Sequence, residues 1–161
     1  MASLAPEQMR DSQLLSAAVK LVRRSRGLST RQVAAAMHMS LRTYQRFEAG
    51  ATRVNFDHIH RFARATSSDP YSLVMSVMIG SSRYARNTAD NMLSTVLVVG
   101  VQNLEKALGD RIAQLDTRAL VSGVAALFDG FAAQVLDVDP AEEWLSKGQD
   151  ELAARRPKPG R

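Results

Sequence analysis

The sequence predicts an all-α protein in two parts, a five-helix head over residues 11–80 and a C-terminal helical domain over 83–154. Three observations predict this. Apolar residues recur three and four places apart almost throughout, and no segment alternates as a strand would. Side chains suited to helix N-caps, Ser29, Ser40, Asn55, Asp69 and Asp116, stand at the head of these segments, while Gly27, Gly50 and Gly80 stand at ends. Charge divides with them: residues 1–70 hold eleven Lys/Arg against five Asp/Glu, a net of +6, and residues 71–161 hold ten against eleven, a net of −1.

Residues 1–10 are expected to form a flexible arm, since Pro6 is a poor helix-interior residue. The first helix then runs from Asp11 to Gly27 on the apolar face Leu14, Leu15, Ala18, Val19 and Val22. Lys20, Arg23, Arg24 and Arg26 crowd its C-terminal end, where cations favour the helix dipole and can also meet phosphate. Ser29 and Gln32 have the spacing of a capping box ahead of a short helix buried through Val33, Ala34 and Met37. Ser40 caps the next, whose inward face is Tyr44, Phe47 and Leu41 in part, so that Arg42, Thr43, Gln45 and Arg46 point outward. Gly50 closes it in the left-handed conformation, and Thr52 and Arg53 follow in a loop. Asn55 caps a fourth helix with Phe56, Ile59, Phe62 and Ala63, and His60 and Ala65 at its margins. Asp69 with Pro70 starts a fifth, through Tyr71, Leu73, Val74, Val77 and Met78.

Beyond a junction at Gly80, Ser81 and Ser82, one long helix is expected from Tyr84 to about Leu115, apolar on more than one side through Met92, Leu93, Val96, Leu97, Val99, Val101, Leu104 and Leu108. Asp116 caps another broad apolar helix with Leu120, Val121, Val124, Leu127, Phe128, Phe131, Val135 and Leu136. Asp139, Pro140 and Glu142 open a last amphipathic helix holding Trp144, Leu145 and Leu152, and residues 155–161 are a basic, disordered tail. The acidic side chains Glu142, Glu143, Asp150 and Glu151 permit a contact with RNA polymerase or a regulatory protein.

Several classes of function are excluded or disfavoured. The chain has no cysteine, which removes disulfides and thiolate zinc sites. His58 and His60 stand two apart on one helix and face different ways, and His38 has no clustered acid beside it, so no metal site is expected. A nucleotide-binding glycine loop, a nucleophile elbow and an HExxH motif are all missing, and neither catalysis nor a cofactor is expected. The N-terminus lacks a signal-peptide pattern, and the stretch taken as most apolar, Met92 to Val101, is about half a membrane span. A cytoplasmic, nucleoid-associated protein with no membrane contact is the expectation.

The segment from Leu14 to Val74 resembles the Cro/C1-type, or XRE, helix-turn-helix family of bacterial and phage regulators. The resemblance rests on Arg26-Gly27-Leu28-Ser29 leading into the second helix, Val33-Ala34 with Met37, the turn ending in Met39-Ser40, the closure Phe47-Glu48-Ala49-Gly50, and Leu73 after Asp69-Pro70. Thr30 stands where many relatives have Gln, and His38 where they commonly have Gly, which implies a slightly altered turn.

The resemblance implies a five-helix domain that enters the major groove with residues 40–49 and binds two-fold sites as a homodimer. It makes Arg42, Arg46, Leu41 and Thr43 the base readers, because a guanidinium fork matches guanine O6 and N7 and an apolar side chain can meet a thymine methyl. Leu41 has core packing as an equal alternative. Ser29, Thr30, Arg31, Gln45, Thr52 and Arg53 are then placed to position phosphates. Glu48 is expected to pair with Arg23 or Arg24. In the C-terminal domain Leu93, Val96, Leu97, Leu104, Leu127, Phe128 and Phe131 are expected to form a core or a dimer surface.

The function expected is therefore regulation of transcription by sequence-specific binding to double-stranded DNA, with activation and repression undistinguished. An antitoxin that neutralises a partner and regulates its own operon, and an interaction module without DNA binding, are the alternatives. For the C-terminal half a self-contained bundle or a ligand-sensing pocket are the others, although no residue there singles out a ligand.

Overall fold

The computed structural model describes residues 6–136, 144, 145, 147–149 and 151. Within them the chain is helical: α1 Pro6–Ser25, α2 Thr30–Ala36, α3 Leu41–Glu48, α4 Phe56–Thr66, α5 Pro70–Met78, α6 Ser82–Asn87, α7 Leu93–Leu108, a 3₁₀ stretch over Gly109–Gln114, and α8 Thr117–Leu136. It divides into two compact units, Met1–Ala107 and Leu108–Arg161.

The core of the first unit is apolar side chains from the first six helices. Leu15, Ala18, Val19 and Val22 of α1 meet Val33 and Ala34 of α2 with Met37 just after it, Tyr44 and Phe47 of α3, Ile59 and Phe62 of α4, Leu73 of α5 and Ala85 of α6, all buried. Each of these follows from helical spacing, and together they fill one interior. The aromatic members touch directly: Phe47 lies 6.2 Å from both Tyr44 and Phe62, ring centre to ring centre. Two apolar residues of the α4 and α5 patterns lie at the surface, Phe56 at 60% exposure and Met78 at 75%.

The helices α1 to α5 end alike. In each, a residue at or just after the cap has a positive φ and its successor donates a backbone hydrogen bond to the carbonyl five residues back: Leu28 to Arg23, Met39 to Ala34, Ala51 to Arg46, Ser68 to Ala63 and Ser81 to Ser76. Gly27, Gly50 and Gly80 fill three of the left-handed positions, and His38 and Ser67 fill the other two. The N-termini use the caps read from the sequence. Ser29 and Gln32 form the full capping box, Thr43 N–H donates to Ser40, Asp57 N–H to Asn55 and Tyr71 N–H to Asp69.

Four expectations are corrected. Helix α1 begins at Pro6 and not at Asp11, because the fixed φ of proline suits a first helical position; residues 6–10 are helix, not arm, and residues 1–5 lie outside the described residues. The head does not end at 80, since α6 packs against α1 and α5 and places Ala85 in the core. The single helix expected from 84 to 115 is three segments. Thr88 turns its hydroxyl back onto the Tyr84 carbonyl as α6 ends, Met92 takes a φ of +56°, Asn91 accepts from Leu93 N–H as α7 starts, and Gly109 ends α7 at a φ of +52°.

The C-terminal half holds a longer apolar helix than expected. Helix α8 is 20 residues long with a mean hydropathy of 1.7 in its most apolar window, enough by length and composition to cross a membrane, whereas the expectation weighed only Met92 to Val101, about half that length. Asp129 stands inside it, and a central aspartate costs about 2.5 to 3.5 kcal/mol in hydrocarbon against a few tenths gained per Leu, Val or Phe.

In the second unit Asp116 caps α8 by accepting from Ala119 N–H. Leu120, Val121, Val124, Leu127, Phe128, Phe131 and Val135 lie along one side of α8 at helical spacing and are all exposed. Phe128 and Phe131 meet edge to face, 6.3 Å apart. Of the last expected helix, Trp144 and Leu145 are helical and exposed; Asp139, Pro140, Glu142, Glu143, Asp150 and Leu152, and the tail 155–161, lie outside the described residues.

Candidate nucleic-acid interface

Helix α3 has two unlike faces. Tyr44 and Phe47 are buried and Leu41 is half-buried against the core, while Arg42, Thr43, Gln45 and Arg46 are exposed. Arg42 and Arg46 stand one turn apart on the same side, and with Thr43 and Thr52 they line one shallow depression. The Thr43 hydroxyl is already engaged, 2.8 Å from Ser40 Oγ, so it stabilises the start of α3.

What holds α3 in place is a buried polar network. Glu48 is 7% exposed and receives three donors, Arg23 Nε and Nη2 from α1 and the Tyr44 hydroxyl at 2.9 Å. Arg23 therefore is the partner, and not Arg24. Its Nη1 also donates to the Leu28 carbonyl at 2.8 Å, so one guanidinium ties the loop entering α2 to the end of α3. The hydrogen bond from Arg23 to Glu48 raises the arginine's pKa further despite partial burial, and burial, then Glu48, raises that of Tyr44, so the phenol stays a donor. Ser16 of α1 adds a bond of 2.6 Å to the Glu48 carbonyl.

Backbone geometry fixes the two turns beside α3. His38, with a φ of +54°, takes the left-handed position that ends α2, so the turn is not altered from the form a glycine would give; the strain falls on the histidine. Gly50 has a φ of +70°, and a Cβ there would stand 2.6 Å from the Ser12 carbonyl oxygen of α1. Glycine is thus required for both conformation and space, and α1 and the end of α3 approach at backbone distance.

Of the residues expected around phosphates, Thr52 lines the depression with Arg42 and Arg46, and Gln45 stands on the exposed face of α3. Arg31 and Arg53 are exposed and Thr30 and Thr52 half-buried; Ser29 is exposed, its hydroxyl within 2.8 Å of Gln32 Oε1 and accepting from Gln32 N–H. Among the described residues the ion pairs join Arg23 to Glu48, Arg26 to Asp90 and Arg61 to Asp57, and none includes Arg31, Arg42, Arg46 or Arg53. Arg26 is occupied internally, donating to the Thr66 and Ser67 carbonyls as well as to Asp90, whose pKa this lowers. Of the four cations at the end of α1, two are therefore structural.

The histidines are placed apart in role. The ring of His58 meets Phe47 edge-on at 5.6 Å with its Nδ1 buried and without a partner, and His60 meets Tyr71 at 5.7 Å. No three His, Asp or Glu side chains gather as a metal site among the described residues. The expected C-terminal surface residues are distributed over two helices: Leu93 and Leu97 are half-buried and Val96 and Leu104 exposed on α7, and Leu127, Phe128 and Phe131 are exposed on α8.

Sequence reading missed Asp69. It caps α5 as expected, yet it is wholly buried and also accepts from the backbone N–H and the hydroxyl of Thr95 at the start of α7. Nothing in local spacing signals a bond between residues 26 apart.

Residues 14–70 match a protein-family model described as a helix-turn-helix domain. No curated protein and no solved structure matches the chain.

Proposed function

We propose that residues 14–70, which match a helix-turn-helix domain, are of the Cro/C1 type, and that the chain is a transcriptional regulator that binds two-fold, sequence-specific sites in double-stranded DNA as a homodimer. One observation carries the reading: α3 is locked from beneath by Arg23, Tyr44 and Glu48 while its outer face presents Arg42 and Arg46 outside every ion pair among the described residues. Cations left unneutralised on a rigid helix are what a polyanion with readable base edges requires. In this reading Arg42 and Arg46 read bases, Leu41 and Thr43 assist at the N-terminal end of α3, and Arg31, Arg53, Gln45, Ser29, Thr30 and Thr52 position phosphates.

The homodimer reading is supported by the apolar side chains of the two long C-terminal helices. On α7, Leu93, Leu97, Val101 and Leu104 recur four, four and three places apart with Val96 beside them, a spacing suited to a second helix. On α8, seven exposed apolar side chains form a stripe, and single patches on monomers seldom exceed about 300 to 600 Å². A cytoplasmic protein fits best with Asp129 in the middle of α8. Mapping the chain along the chromosome, together with transcript changes on its deletion, tests the function: discrete sites upstream of affected genes support it, and absence of site-specific occupancy refutes it.

A further inference from the structure

The first turn of α7 is fastened to the head by buried polar contacts that DNA recognition does not use. Asp69 has no exposed surface; Oδ1 accepts from the Tyr71 N–H at 2.9 Å and from the Thr95 hydroxyl at 2.7 Å, and Oδ2 accepts from the Thr95 N–H at 3.0 Å. Ser94, also fully buried, lies 2.8 Å from the Tyr84 hydroxyl of α6. A segment that merely connected two bodies would be solvated and poor in such bonds. Here three donors satisfy one buried carboxylate, so α7 leaves the head in a fixed direction.

From that turn onward α7 carries the row Leu93, Leu97, Val101 and Leu104, with Val101 and Leu104 exposed. In the homodimer reading above, on which this inference rests, a second copy covers this row. We infer that Asp69 and Thr95 are positioning residues: they fix the direction in which α7 is presented, so that pairing along α7 sets the separation of the two recognition helices and hence the spacing of half-sites that the dimer accepts. Neither residue is placed against DNA.

The test uses the full chain and duplexes selected by it from a random pool, with the spacer between half-sites varied in single base pairs. The wild type gives one sharp optimum, because about 5 bp of added spacer turns one half-site to the opposite side of the duplex. Thr95→Val keeps the shape and the N–H and removes the hydroxyl. It is expected to remain folded by circular dichroism and dimeric by sedimentation, to bind a single half-site as the wild type does, and to lose about tenfold of its preference for the optimal spacer. Thr95→Ser restores the hydroxyl and the optimum, and Asp69→Asn, which still caps α5, flattens the profile as Thr95→Val does.

An unchanged sharp optimum in a dimeric Thr95→Val overturns the inference alone. So does conversion of that variant to monomer, since the contacts are then needed for association and not for its direction. A wild type without any spacing optimum overturns the homodimer reading and this inference with it.

Discussion

Single residues here are decided by backbone geometry as much as by side-chain chemistry. Gly50→Ala forces a left-handed alanine and drives its Cβ toward the Ser12 carbonyl, 2.6 Å away, so a loss of about 2 to 4 kcal/mol is expected in denaturant unfolding. His38→Gly has the opposite sign. It relieves the strain at a φ of +54° and gives back part of the gain through greater freedom of the unfolded chain, leaving up to about 1 kcal/mol of added stability. In the proposed function, recognition divides in the same way. Arg42→Ala is expected to remove about 1 to 3 kcal/mol of discrimination at one base pair in each half-site, whereas Arg53→Ala weakens all sequences alike and lowers the salt slope by about one. Titrating both variants against single-base changes of the site at two salt concentrations separates the roles. A uniform fall in affinity for Arg42→Ala, with base preference intact, moves reading to Arg46, Thr43 or Leu41.

At the scale of elements, the head must include α6. A chain ended at residue 80 loses Ala85 from the core and the cover over α1 and α5, so it is expected to melt several degrees below a chain ended at 107, as thermal unfolding of the two fragments checks. Equal melting temperatures would assign α6 no part in the head. The helices α2 to α5 were legible in the sequence because each carries its own punctuation, as Ser40 before and Gly50 after α3 show. Residues 84–115 carry a nearly continuous apolar pattern, which periodicity reads as one helix, while the break depends on Met92 taking a positive φ and on long-range bonds from Thr95 and Ser94. The outward set Arg42, Thr43, Gln45 and Arg46 was legible for the same reason as the helix, since exposure follows from period. That Arg26 turns inward, to carbonyls 40 and 41 residues away, was not, because a charge at a helix end looks the same whether it meets solvent, phosphate or its own fold.

For the whole molecule, under the proposed function, the charge division and the exposed apolar helices are two halves of one requirement. A recognition helix of two turns spans few base pairs, and a second copy doubles the site and multiplies the discrimination. Replacing Leu97 and Leu104 by Asp is expected to yield a folded monomer by sedimentation that keeps weak, salt-sensitive binding; an intact dimer would transfer association to α8 or elsewhere. The most direct measurement titrates the full chain against its selected two-half-site duplex, a single half-site and a scrambled duplex of equal length, at two salt concentrations. Binding to the two-half-site duplex about a thousandfold or more tighter than to the scrambled one, with the single half-site between them and all three weakening as salt rises, is the predicted result. Equal affinity for all three duplexes would contradict it.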